Sequence, residues 1–247
     1  MAFQPDPQTP APPWGPISTI AWALAAFFLS LLATAVVSFG MHRTGVLPES
    51  TSLSDEKWMT FLVFTSVPIE IAILVFASHL RRWPPTIYLG LVWPRRYQVI
   101  VAVLAVIAVT LALFTFNVFV LGAGRGYTPS TEVTQWRSAA DTGWLIWFLA
   151  ADIVAAPIGE EVMFRGFLFR GLARSGWEVP AIGATALVWA LMHTQYNWVV
   201  VSELFLEGLM LGWFRWASGS TVLVIGTHML MNALATLETW IRAEVFS

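Results

Sequence analysis

The chain has 247 residues, of which 57% are hydrophobic and only 11% are charged, and its mean hydropathy is +0.69. These values lie far from those of soluble globular domains and predict an integral membrane protein. The formal net charge of -2 excludes nucleic acid as an expected partner, because that binding needs clustered Lys and Arg. The absence of cysteine excludes a thiol nucleophile, a disulfide framework and thiolate metal sites.

The apolar stretches predict an all-α fold, a polytopic transmembrane helical bundle with about seven membrane segments. A span needs about 20 mostly apolar residues, and the first half contains three such stretches: 17–41, 58–80 and 97–121. The second half is more interrupted, with helices predicted at 143–174, 180–196, 198–216 and 221–237. Pro157 and Gly159 are expected to bend or break the fourth segment.

The chain shows no internal repeat and divides into four consecutive parts. These are a Pro-rich, disordered lead (1–16), three transmembrane helices with their loops (17–142), a core (143–237) and a C-terminal tail (238–247). The loop after the second span is basic and is therefore expected on the cytoplasmic side; its arginines are Arg81, Arg82, Arg95 and Arg96. We expect a multi-pass protein of a prokaryotic cell membrane, with a cytoplasmic N-terminus.

Ionisable residues inside apolar helices are functional candidates, because each costs at least ~2.5 kcal/mol at a helix centre on insertion scales. This set comprises Glu70, Asp152, Glu160, Glu161, Arg165, His193, Glu203, Glu207 and His228. Glu161 and Arg165 are four residues apart, so they are predicted to pair on one helical face. Glu160 is turned about 100° away and lacks a paired cation.

A carboxylate without a paired cation in apolar surroundings is a candidate general base, because desolvation increases its affinity for a proton. An alternative is that Glu160 and Glu161 both favour a helix N-terminus after Pro157. His193 and His228 lie within apolar stretches, where a single histidine commonly forms a hydrogen bond between helices. His228 and Asn232 share a helical face and could donate to one oxyanion. Together these residues are the parts needed for amide hydrolysis.

Three motifs in this order resemble the CPBP family of intramembrane proteases, also called the CAAX protease and bacteriocin-processing or ABI family. Glu160-Glu161-x-x-x-Arg165 is the first motif and His228-x-x-x-Asn232 the third. The second, Trp189-x-x-x-His193, has Trp where the family usually has Phe. The resemblance covers about residues 143–237.

The resemblance implies an intramembrane endopeptidase of the type II CAAX prenyl protease kind. Glu160 and His193 would activate water, His228 and Asn232 would stabilise the oxyanion, and Glu161 with Arg165 would support the site. Asn197 is expected to add a contact, although a helix-ending turn is the other interpretation. The implied substrate is a protein or peptide in or at the lipid bilayer, prenylated proteins included.

A zinc-dependent version of this protease is an alternative, with Glu160, His193 and His228 as ligands. We favour a site without a metal or other cofactor, because zinc on Glu160 would leave the reaction without a free base. Asn232 is also a poor zinc ligand but a good donor. Two further alternatives are a proton-coupled transporter using Glu203 and Glu207, and a non-catalytic immunity or scaffold protein.

Overall fold

The computed structural model describes residues 14–44, 56–119, 131–193 and 195–244, of which most are helical and none forms a strand. The predicted all-α bundle is confirmed. Most of the predicted N-terminal lead lies outside the described residues, as do the last three residues of the predicted tail.

Three long helices form the first half of the chain, as predicted from the apolar stretches. They are α1 (Pro16–Arg43), α2 (Glu56–Leu80) and α4 (Arg96–Phe119), with a short α3 (Pro85–Tyr88) between the last two. Along α1, small and hydroxyl side chains recur every three or four residues and are buried: Thr19, Ala23, Ala26, Ser30, Thr34 and Ser38. Small residues let helices approach closely in a membrane, and α1 packs closely against α2.

Four helices of the described chain are long and apolar enough to cross a membrane. They cover Pro16–Met41, Lys57–Leu80, Arg96–Asn117 and Thr221–Ile241. The three other predicted segments are also helical, but they are shorter, irregular or richer in charged residues.

The fourth predicted segment follows α5 (Thr131–Asp141) and is one helical run with two π-helical turns. The run consists of α6 (Leu145–Ala150), a π turn (Ala151–Ala155), α7 (Ala156–Glu161), a second π turn (Val162–Leu168) and α8 (Phe169–Leu172). Of the expected bend or break at Pro157 and Gly159, the break is wrong, because the helical run continues through both residues. Proline removes one backbone donor, and the π turn just before it changes the hydrogen-bond spacing without ending the helix.

The last three helices are α9 (Glu178–Leu191), α10 (Trp198–Ser218) and α11 (Thr221–Glu244). Two glycines let α10 pack tightly on α9: a Cβ on Gly208 would lie 3.0 Å from the Ala186 Cβ, and one on Gly212 would lie 2.8 Å from Ile182 Cγ2. Residues 192–196 were predicted to continue α9, but the helix ends at Leu191. Asn197 then begins α10 as its N-cap.

Candidate active site

A fully buried ionic cluster lies where the helical run 145–172 meets α11. Glu161 Oε1 accepts hydrogen bonds from Arg165 Nη1 and from His228 Nδ1, both at 2.9 Å. The Glu161 and Arg165 side chains are 0% exposed and that of His228 is 5% exposed. The predicted pairing of Glu161 with Arg165 is thus present, and His228 joins it. We call these three residues the inner cluster.

Backbone groups and a second arginine also surround Arg165, whose Nε has no hydrogen-bond partner among the described residues. Its Nη2 donates to the Gly208 carbonyl on α10 at 3.0 Å. Its own carbonyl accepts from Arg215 Nε, also at 3.0 Å. A charged group in a dry interior requires such partners, so this network connects α10 to the run that carries Glu160 and Glu161.

A second group of polar residues surrounds the Trp189 ring. The indole Nε1 donates to Glu160 Oε2 at 2.5 Å. The ring centroid lies 5.0 Å from that of His193 and 5.4 Å from that of His228. The structure therefore brings three of the predicted site residues around one indole. Glu160 and His193 are partly buried, unlike the inner cluster, and with Trp189 we call them the outer group.

The hydrogen bonds of the two imidazoles determine which nitrogens remain available. His193 Nδ1 lies 2.8 Å from the Trp189 carbonyl oxygen. A carbonyl only accepts, so Nδ1 must be the donor, and in the neutral ring Nε2 is then an acceptor. His228 uses Nδ1 on Glu161 in the same way. Among the described residues, neither ring uses its Nε2 in a hydrogen bond, so each Nε2 can meet a further partner.

His193 lies just beyond the end of α9 rather than within it. Its backbone N–H donates to the Ala190 carbonyl at 3.1 Å, while its ring satisfies the Trp189 carbonyl. The last carbonyls of a helix lack partners within the helix. The imidazole therefore caps this end and is oriented by the capping.

Asn232 follows His228 by one turn of α11, as predicted. Its Nδ2 donates to the Asp152 carbonyl at 2.8 Å, within the first π turn. Asparagine has two amide hydrogens on Nδ2, so one remains for another acceptor. Thr236 Oγ1 is 3.4 Å from Asp152 Oδ2 one turn further on.

The side chain of Asn197, the expected additional contact, is used locally. Its Oδ1 accepts from the backbone N–H groups of Val199 at 3.0 Å and Val200 at 3.2 Å. This is the usual geometry of an N-cap residue, and it agrees with the turn interpretation of this stretch.

Glu70, a candidate in the sequence without an assigned role, is a buried carboxyl facing the site from α2. It is 8% exposed, and its Oε1 has no hydrogen-bond partner among the described residues. A Cβ on Gly159 would lie 2.8 Å from Val67 Cγ2, so α2 crosses the helical run just before Glu160. Glu70 lies one turn further along and interacts electrostatically with Glu160. Its only sequence signal is that it is the one acidic residue within the first three apolar stretches.

Glu203 and Glu207 occupy neighbouring turns of α10. Asn117 Nδ2 of α4 donates to Glu203 Oε1 at 2.9 Å. Glu207 interacts electrostatically with His228. The first carboxylate therefore connects two helices, and the second faces the inner cluster.

The alternative zinc ligands do not form a metal-binding group in the structure. Among the described residues, no three His, Asp or Glu side chains are arranged to hold a metal ion. The Nδ1 atoms of both histidines are used as described above. The expectation of a metal-free site stays a prediction.

The fold and the site define a multi-span helical membrane protein with a buried carboxylate and imidazole site. Residues 142–234 match the family model described as "Type II CAAX prenyl endopeptidase Rce1-like". The match confirms the resemblance to the CPBP family and supports a CAAX-type intramembrane protease in general terms. It includes all three motifs, whereas α1, α2 and α4 lie outside it.

The chain is also similar to an "Uncharacterized 24.3 kDa protein" of Escherichia coli. The two are 27% identical over 216 residues, which cover 85% of this chain and 94% of that protein. The comparison with solved structures found no match.

Proposed function

We propose that the chain is an intramembrane endopeptidase that hydrolyses a peptide bond with a water molecule activated by Glu160. Its substrate is a membrane-associated protein or peptide, prenylated proteins included. The observation that carries this proposal is the convergence of Glu160, His193 and His228 on Trp189 from three parts of the chain.

In the proposed reaction, Glu160 takes a proton from water as the water oxygen attacks the substrate carbonyl carbon. Nε2 of His193 accepts a hydrogen bond from the second O–H of that water, which stays on the oxygen, and so orients the water. Glu160 then passes its proton to the leaving amide nitrogen, and the C–N bond breaks. A carboxylate serves both steps because it first accepts and later donates the same proton.

Negative charge develops on the substrate oxygen and needs preorganised donors. We assign this function to the His228 ring and to the second amide hydrogen of Asn232. Glu161 accepts a hydrogen bond from His228 Nδ1, and in the imidazolium form Nε2 also carries a hydrogen to donate. The inner cluster thus supports the proposed oxyanion site, and the outer group supports the proposed base.

The proposal is tested by mass spectrometry of membrane peptides and prenylated proteins from cells expressing the intact chain or Glu160→Ala. Cleavage products should appear only with the intact chain. Glu203→Gln is the matched control, because it also removes an intramembrane carboxylate, one that accepts a hydrogen bond from Asn117 and is not part of the proposed site. Equal products with Glu160→Ala would contradict the proposal. Loss of ion-coupled transport in Glu203→Gln would favour a carrier.

Metal dependence is tested on the purified chain with its identified substrate. Removal of transition metals by chelation should leave the cleavage rate unchanged, since the proposed base is a carboxylate held by an indole. Strict dependence on zinc, with one bound ion for each chain, would contradict the metal-free mechanism.

A further inference from the structure

Trp189 makes a hydrogen bond to the proposed base that its place in the motif does not require. The family motif requires only an aromatic side chain at this position, and a phenylalanine ring has no hydrogen-bond donor. The indole also carries an N–H, which donates to Glu160 Oε2 at 2.5 Å. The side chain is 2% exposed, so this bond lies in surroundings where a charge-assisted hydrogen bond is strong.

The position of the indole is fixed from several sides. The ring is perpendicular to that of His228, with an interplanar angle of 90°, and meets that of His193 at 70°. The Arg165 guanidinium carbon lies 5.0 Å from its centroid. On α10, a Cβ on Gly208 would lie 3.1 Å from Trp189 Cε3, so the glycine makes room for the ring. Since the ring has little freedom to move, the direction of its N–H is set as well.

A donor fixed in this way is suited to orienting a carboxylate. The glutamate side chain rotates about several bonds, whereas a catalytic group must be held within about 0.5 Å of its productive position. The indole N–H only donates, so it cannot compete with Glu160 for the proton of the water. It binds Oε2 and leaves Oε1 available.

We infer that Trp189 is a positioning residue, whose N–H holds the Glu160 carboxylate beside the indole that both imidazoles contact. This inference rests on the proposed function. It assigns to this chain an orienting hydrogen bond that a phenylalanine at position 189 could not form.

The kinetic test replaces Trp189 with benzothienylalanine, which keeps the bicyclic shape but has sulfur in place of N–H. Trp189→Phe is the second variant. We expect kcat to fall about 10- to 100-fold in both, the range for a lost hydrogen bond to a charged group, while KM changes less than about twofold. Trp213→Phe, an indole 51% exposed on α10, is the control and should retain the wild-type kcat. A wild-type kcat with benzothienylalanine would overturn the inference.

A spectroscopic test detects the contact without catalysis. In the full chain labelled with ¹⁵N-indole tryptophan, the resonance missing from Trp189→Phe identifies Trp189. We expect this resonance to shift in Glu160→Leu and to stay in place in Glu203→Gln. An unchanged resonance in Glu160→Leu would overturn the inference. If the wild type cleaves nothing but the resonance shifts, the contact is supported and the proposed function fails.

Discussion

The inner cluster and the outer group each contain one of two adjacent glutamates, yet they hold them differently. Glu161 is 0% exposed and accepts from a guanidinium and an imidazole. Glu160 is partly buried and accepts from a neutral indole. Consecutive residues of a helix differ by about 100° in direction, which is enough to place these acids in different surroundings.

This difference in surroundings assigns different functions to the two glutamates: Glu161 supports the site, and Glu160 is the proposed base. Both donors of Glu161 hold it within a dry interior, so this carboxylate supports the neighbouring side chains. A carboxylate with one neutral donor keeps an oxygen for the reaction. We therefore expect a substitution of Glu161 to lower the free energy of unfolding. A substitution of Glu160 should instead lower the rate of cleavage.

The largest expected effect is on the rate of Glu160→Gln. Loss of a general base lowers kcat by about 100- to 10,000-fold, whereas the amide can still accept from Trp189 and keep the fold. Single-turnover cleavage and thermal unfolding should be measured on the same preparation. A variant that both unfolds early and loses activity would remove the distinction between the two acids.

Arg165→Met should instead act on stability. It leaves Glu161 buried with only His228 as partner, and breaking a buried pair costs about 3–5 kcal/mol. The double variant Glu161→Leu/Arg165→Met is the matched control and should recover part of that loss, because the unpaired Glu161 carboxylate is gone. The recovery is only partial because His228 Nδ1 loses its acceptor. Denaturant unfolding in detergent measures both. Equal stability of Arg165→Met and the wild type would contradict the support function.

Gly208→Ala should affect both sides of the site by a smaller amount. The new Cβ would meet the Ala186 Cβ at 3.0 Å and Trp189 Cε3 at 3.1 Å, and overpacking costs about 1–3 kcal/mol. Gly226→Ala is the control, because a Cβ there would contact nothing within 4 Å. The free energy of unfolding and kcat should both fall in Gly208→Ala, and both should stay at their wild-type values in Gly226→Ala.

The smallest expected effect is that of Asn197→Ala. Loss of an N-cap costs about 1 kcal/mol, and Asn197→Ser should keep most of the stability because serine also caps. Thermal unfolding and KM together distinguish the two interpretations of this residue. A large rise in KM without a stability change would restore Asn197 as a contact of the site.

Much of the helical framework could be predicted from apolar length alone. The motif spacing also predicted the Glu161–Arg165 pair, because residues four apart on a helix share a face. Interactions between helices were harder to predict from the sequence. Nothing in the spacing of Trp189 and Glu160 indicates that an indole N–H reaches the carboxylate. The sequence also does not show which residues Glu70 faces on the neighbouring helix.

Local hydrogen bonding caused the errors in helix boundaries. The end of α9 depends on the His193 ring satisfying a backbone carbonyl, a contact that apolar periodicity does not encode. The continuity of the helical run past Pro157 depends on π turns, whose spacing differs from that assumed in reading the pattern.

Those π turns also determine how the site would respond to a change in the number of residues. Each π turn holds about one residue more than the same stretch of α-helix, much like an insertion that the helix has absorbed. Glu160 and Glu161 lie between the two, Ala151–Ala155 and Val162–Leu168. Deleting one residue from either turn is expected to restore a regular helix there and to leave both flanks close to their present directions. Deleting one residue from α7, the regular stretch between the turns, would instead rotate one flank by about 100° against the other. The register of this helix, as much as its composition, decides which glutamate meets the indole and which meets the arginine.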